Sequence, residues 1–404
     1  MNIELLPDPR PIFIGSRRIP HKLRKKVRAE LNRMIEAEVI RPVNGTSDWC
    51  HPMLTADKKD GQVRVCIDPR HLNQWIKRPI FQLPDIDALM SELGGASYFL
   101  TLDLESGFWQ IPVTESTSKL LTFATPFGNF QYLRLPYSVC SGPQEFHRRV
   151  VQAVAMIPGV LVYIDDIVIF AETIKEHNVR LALLVLKALK EAGFMLNETK
   201  CKYAQKRIKF LGHIVEGGKL RPNPDKIAAI KNFPTPTNHK ELRSYLGLVG
   251  WLRKFHSDLM INLSVFRPLQ KDSEPFIWTE AHSKAMTAIN HMLSDELALE
   301  LFEPGETLEL WTDASPYGLG AVLLQNGRPL YCLSRSLTKA ESNYHQIERE
   351  LLGITWAFER LDAFAYGSKV QVYTDHEPFA RSIQKTNWRF ENKNTASFCE
   401  IVTL

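Results

Sequence analysis

No two cysteines in this 404-residue chain are spaced as Cys-x-x-Cys. The six present, Cys50, Cys66, Cys140, Cys201, Cys332 and Cys399, are scattered. That argues against a disulfide framework and a zinc site, and for a reducing compartment. No apolar run reaches the roughly 18 residues of a membrane span, so no membrane partner is expected. The opening stretch, MNIELLPDPRPIFIGSRRIP, has no apolar centre of the secretory kind, so a secreted protein is not expected. Internal repeats and low-complexity segments are lacking as well.

What is present is the composition of a soluble globular protein, 44% hydrophobic and 24% charged. The length exceeds one ordinary core and implies two or three domains. Charge is uneven. Residues 1–80 carry 16 Lys and Arg against 9 Asp and Glu, whereas residues 301–404 carry 10 against 13. A basic front half suits a polyanion, although an excess of this size is also common on solvated surfaces.

Strand and helix patterns alternate without a regular βαβ beat, which favours an α+β fold. Leu23, Val27, Leu31, Met34 and Ile35 repeat at helical spacing in PHKLRKKVRAELNRMIEAEVI. In YFLTLDL, Leu100, Leu102 and Leu104 point one way, Thr101 and Asp103 the other. GPQEFHRRVVQAVAMI reads as a helix, and Gly193 ends another that starts at a Thr173–Glu176 capping box. From about 222 to 300 the pattern is mainly helical. Three strands follow, with Asn326-Gly327 as a hairpin turn, then a helix from Glu341 and the strand KVQVYTD.

LVYIDDIVIF sets Asp165 and Asp166 inside an apolar run, read here as two strands joined at the acids. Burying bare carboxylates costs several kcal/mol per ion. If the Asp103 strand lies alongside, three hard oxygen ligands converge, a set that suits Mg²⁺. Two such ions about 4 Å apart serve phosphoryl transfer. An isolated Asp-Asp is equally a polar hairpin turn. Asp313 and Asp375 at strand ends, with Glu350 on a helix, form a second set of that kind; three unrelated surface acids are the alternative.

KKDGQVRVCIDPRHLN, LTLDLESGFWQIPV, LPYSVCSGPQEFHR, YIDD and KFLGHIV, in that order, resemble the motifs of reverse transcriptases, above all the gypsy class of LTR retrotransposons. WTDASPYGLGAVLLQ, ERELLGITWAFERL and VYTDHEP resemble the RNase H domain that follows in these elements. The resemblance implies a right-hand polymerase of fingers, palm and thumb, followed by a truncated RNase H-like domain. Its expected boundaries are 1–215 for fingers and palm, 216–295 for thumb and connecting helices, and 296–404 for the RNase H-like domain.

The same resemblance assigns roles. Asp103 and Asp165 bind two Mg²⁺ ions, with Mn²⁺ an alternative, and Asp166 completes the triad. Lys58 and Arg64 grip the incoming dNTP, and Phe108 excludes a ribose 2′-hydroxyl. Leu211 and Gly212 grip the primer. Arg243, Gly247 and Trp251 meet the template–primer, beside a basic stripe of Arg243, Arg253 and Lys254. Asp313, Glu350 and Asp375 hold metal for RNA cleavage. The implied partners are an RNA template, a DNA primer, an RNA–DNA hybrid and dNTPs, with a dimer or a parent polyprotein compatible. The implied location is cytoplasmic, in a virus-like particle, or nuclear.

Departures from the family pattern are specific. A family motif resembling LPFGLxNAPxxFQ here has Tyr137, Ser138, Ser141, Gly142 and His147 at its variable places, and Val63 stands where Trp is usual. No Asp follows Asp375, so the family's fourth RNase H acid is missing and weak RNA cleavage is expected. No Asp-[Ser/Thr]-Gly protease motif or integrase-like His/Cys pattern occurs, which suggests a middle segment of a polyprotein or a broken copy. The rival expectation is a non-catalytic, retroelement-derived nucleic-acid-binding protein.

Overall fold

The computed structural model describes residues 1–57, 61–178, 182–256, 258–293, 297–374, 390–392 and 395–403. Lys58 and Asp375 lie outside the described residues. The chain divides into two compact units. The first comprises Met1–Pro84, Leu100–Phe170 and Ile174–Ala204; the second comprises Asp85–Phe99, Ala171–Thr173 and Gln205–Leu404.

In the first unit, the helix His21–Glu36 buries Val27, Leu31 and Met34 along the expected stripe. Leu23 and Ile35 are half-buried at its edge. A five-stranded sheet runs in the order Ile40–Val43, Gly128–Tyr132, Thr122–Thr125, His51–Asp57, Val63–Ile67. A four-stranded sheet runs Val160–Tyr163, Asp166–Ala171, Tyr98–Asp103, Lys202–Gln205. The Asp103 strand and the strand opened by Asp166 are therefore neighbours. Leu100 and Leu102 are buried while Thr101 and Asp103 are half-exposed, the alternation the pleat demands. The helix Gly142–Val154 seats Phe146, Val150 and Val154 in the same core. Behind this sheet, Gly193 takes φ +82° and Phe194 N–H donates to the Leu189 carbonyl, closing the helix Ala182–Glu191 with a Schellman-type turn.

In the second unit, helices Pro224–Lys231, His239–Gly250, Leu259–Ser264 and Glu280–Met292 fill the stretch read as helical. A small antiparallel sheet joins Arg207–Phe210, His213–Glu216, Lys219–Pro222 and Leu299–Glu300. A six-stranded sheet runs Arg328–Ser336, Gly318–Gln325, Leu308–Ala314, Lys369–Thr374, Thr395–Thr403, Phe390–Asn392. Asn326 and Gly327 both have positive φ, the two-residue hairpin turn expected of Asn-Gly. The following helix begins at Gln346 rather than Glu341. Glu348 reaches back to the His345 N–H and fixes the start there, leaving Glu341–Asn343 as one 3₁₀ turn.

Candidate active site

Asp103 is the last residue of its strand, and main-chain bonds on both sides hold it. Asn197 N–H donates to the Asp103 carbonyl at 2.8 Å, and Glu105 N–H to the Met195 carbonyl at 3.0 Å. The same 195–200 segment carries Lys200, whose Nζ lies 3.4 Å from the Asp103 carboxylate.

The hairpin differs from its sequence reading. Tyr163 pairs with Asp166, so the turn residues are Ile164 and Asp165, and Asp166 opens the second strand. Ile164 takes φ +58° and Asp165 does not go positive, the pattern of a type II′ turn. A β-branched residue rarely adopts that conformation, which is why propensity pointed to the two acids instead. Ile164 packs half-buried against the core, and its N–H donates to His147 Nδ1 at 3.1 Å.

Crowding by protein atoms, then the charges of Asp165 and Asp103, push the Asp166 carboxyl up to about 6. Asp165 and Asp166 both keep exposed surfaces, so water softens the first cause. The second places the Asp166 carboxylate within the fields of the other two. Tyr137 carries the same imprint: burial foremost, and Asp165 and Asp103 among the lesser causes, raise its hydroxyl, against the Arg64 charge. Among the described residues, no three His, Cys, Asp or Glu side chains already close into a shell that could hold a metal. The acids nonetheless suit a hard divalent cation. All their donors are carboxylate oxygens, and their mutual repulsion is what such an ion would relieve.

Tyr137 also links residues assigned to nucleotide binding. The Arg64 guanidinium sits 5.0 Å over its ring, and Phe108 meets it edge-on with centroids 5.3 Å apart. Phe108 is half-buried against Phe146 as well, on a 3₁₀ turn after Ser106 at φ +49°. Val63, in place of Trp, is buried in the core. Ser138, in place of glycine, takes φ +83°. Asn73 brackets it, Nδ2 donating to the Ser138 carbonyl at 2.9 Å and Oδ1 accepting from Cys140 N–H at 3.0 Å. Sequence reasoning gave no role to Tyr137, Lys200 or His147. For Tyr137 and His147 the available signal was their departure from the family pattern; Lys200 had none.

The second unit gathers the residues assigned to the primer. Phe210 pairs with His213, so Leu211 (φ +45°) and Gly212 (φ +82°) form a tight turn. The positive φ of Gly212 favours glycine there, and a Cβ would displace the flexible end of Lys226 and touch Trp251. Lys226 Nζ lies 3.7 Å from the Trp251 ring centre, and His213 packs on that ring at 4.6 Å. Arg243 and Gly247 share the exposed face of the helix His239–Gly250, opposite buried Leu242, Tyr245 and Val249. Arg243 pairs with Asp272 at 2.9 Å. Lys254, expected on the same basic stripe, is instead buried, with Asp87 at 2.6 Å, and Tyr331 donates to the other Asp87 oxygen at 2.7 Å.

Asp313 stands near the end of the strand Leu308–Ala314 on its exposed face. Glu350 is 1% exposed on the helix Gln346–Arg360. Gln346 Nε2 donates to Glu350 Oε1 at 2.6 Å and to the Ala314 carbonyl at 2.9 Å, tethering the helix to that strand end.

Two families match this chain. "Reverse transcriptase (RNA-dependent DNA polymerase)" covers residues 56–215, and "RNase H-like domain found in reverse transcriptase" covers 278–372. The Pol polyprotein of the Drosophila melanogaster transposon opus is 33% identical over 411 residues, 95% of this chain and 40% of that protein. The Pol polyprotein of transposon gypsy from the same organism is 31% identical over 396 residues, 93% of this chain and 38% of that protein. The chain thus spans about two fifths of these curated relatives. A solved foamy viral protease–reverse transcriptase in complex with RNA/DNA hybrid superposes with a TM-score of 0.79 at 25% identity, over 94% of this chain and 51% of that one.

Proposed function

We propose that this chain, which belongs with the reverse transcriptase and RNase H-like segments of retrotransposon Pol polyproteins, is an RNA-directed DNA polymerase. The observation that carries the reading is that the strand ending at Asp103 lies beside the hairpin bearing Asp165 and Asp166 in one sheet, with the Arg64–Tyr137–Phe108 cluster in the same unit. Asp103 and Asp165 would hold Mg²⁺, with Asp166 completing the set. Bound there, the cations supply charge neutralisation for in-line attack of a primer 3′-hydroxyl on the α-phosphate of a dNTP.

The chain's own residues do the positioning. Arg64 offers a planar fork to phosphate. Phe108 presents a half-buried ring, held by Tyr137 and Phe146, against which a 2′-hydroxyl would collide. The Leu211-Gly212 turn with Trp251, and the open Gly247 face, offer a surface for template–primer. RNA cleavage is read as weak, since Glu350 is buried with Oε1 engaged by Gln346 while Asp313 faces outward.

Primer extension on poly(rA)·oligo(dT) with and without Mg²⁺ tests the reading. Incorporation should require the cation and vanish in Asp165→Asn/Asp166→Asn; incorporation surviving in that variant would falsify it. The second reading, an inert nucleic-acid-binding protein, draws on Ser138 at φ +83° where glycine is usual. It wins if the protein binds template–primer with steep salt dependence yet adds no nucleotide.

A further inference from the structure

His147, on the helix Gly142–Val154, is aimed at the acid-bearing hairpin. His147 is 2% exposed, and its Nδ1 accepts the Ile164 N–H at 3.1 Å. Phe81 and Tyr163 flank the ring at 5.5 and 6.4 Å between centroids. An imidazole that accepts at Nδ1 is neutral and carries its proton at Nε2. Burial lowers the basicity of this ring and favours that form.

We infer that His147 is a positioning residue for this site: it fixes the peptide between Tyr163 and Ile164 and so sets the aim of the Asp165 and Asp166 carboxylates. The turn needs such a hold. Ile164 sits at φ +58°, where its branched side chain is strained, and a free two-residue turn with isoleucine there would relax to another conformation. Holding the N–H of Ile164 restricts rotation on both sides of that peptide, and packing of the Ile164 side chain supplies the rest. Residues 165 and 166 follow directly, so any rotation at 164 swings both acids. A reactive constellation tolerates little misplacement, so the loss should appear in turnover. The family pattern has Gln at this place, whose amide oxygen could accept the same N–H; this chain meets the need with an imidazole.

The inference rests on the polymerase reading, and the experiment separates the two. In wild-type protein, the ¹⁵N shifts of the His147 ring should report an unprotonated Nδ1. Ile164 amide exchange should be protected. Neither measurement needs activity. His147→Leu removes the acceptor at similar bulk. Its kcat for primer extension should fall about tenfold or more with the nucleotide KM within about twofold, and the Ile164 amide should lose protection. His147→Gln, whose amide oxygen can accept, should restore both. Wild-type turnover with a protected Ile164 amide in His147→Leu, or a protonated Nδ1 in the wild type, overturns the assignment. The ring shifts decide the matter even if His147→Leu does not fold. A wild-type protein without incorporation sinks the polymerase reading instead, whatever the Ile164 amide does.

Discussion

Lys200 Nζ stands 3.4 Å from the Asp103 carboxylate, the one cation described in direct contact with that acid. Both side chains are well exposed, 61% and 42%, so the pair contributes well under about 1 kcal/mol to stability. Its importance lies in where the charge sits. Lys200→Met should leave the urea midpoint nearly unchanged, while Mn²⁺ binding without nucleotide tightens severalfold. Calorimetric titration of the metal reads this, and unchanged affinity would mean the amine does not compete for the carboxylate.

Ser138 holds a left-handed conformation that costs an L-residue roughly 1–2 kcal/mol. Glycine removes that cost but gives back part of it as unfolded-chain entropy. Ser138→Gly should therefore stabilise by about 0.5–1 kcal/mol in denaturant melts, with Asn73 still bracketing the loop; Ser138→Ala should gain nothing. Equal effects of the two substitutions would point to the hydroxyl rather than the backbone.

Among the described residues, a Cβ at Gly247 would meet no atom within 4 Å apart from the backbone of its own helix and its chain neighbours. Alanine is the better helix former by about 1 kcal/mol, so Gly247→Ala should raise the melting temperature. If that face lies against template–primer, the same methyl should weaken binding severalfold in fluorescence anisotropy. A more stable protein with unaltered affinity would clear Gly247 of any contact with nucleic acid.

Burial first, then the Lys254 charge, hold the His213 imidazole down at about 3, with Asp87 pulling the other way. An unfolded histidine titrates near 6.5. Between about pH 3 and 6.5 the unfolded chain binds more protons here, so this group's stabilisation is full above 6.5 and drains as the pH falls. At pH 5 the loss is up to about 2 kcal/mol. Urea melts at pH 7 and pH 5 should differ less for His213→Gln than for the wild type; equal differences would show that the ring does not titrate in this way.

Much of the architecture was legible because local patterns carried it. Leu100 and Leu102 alternate with Thr101 and Asp103 as a half-buried strand must. Gly193 and Asn326-Gly327 stop and turn the chain where their backbone freedom is needed. For three acids to converge, the sequence requires the Asp103 strand to lie beside the strand of the acid-bearing hairpin, and the strand ending at Asp103 and the one opening at Asp166 are neighbours in one sheet. What failed depended on partners distant in sequence. Lys254 looked like a solvated cation because its carboxylate, Asp87, lies 167 residues away. The hairpin was misassigned because Ile164 takes a conformation that its own side chain disfavours, and the acceptor that holds it, His147, sits 17 positions earlier on a helix.

The Asp87 carboxylate, gripped by Lys254 and Tyr331, has a practical consequence for dissecting this protein. A recombinant piece begun at Gln205 would omit Asp87 and leave Lys254 without its counter-ion. It would also omit Gly94, whose bare Cα lets the Phe302 carbonyl pass where any Cβ would overlap it. The second unit draws segments from both sides of the first in chain order, so no single peptide bond separates the two units.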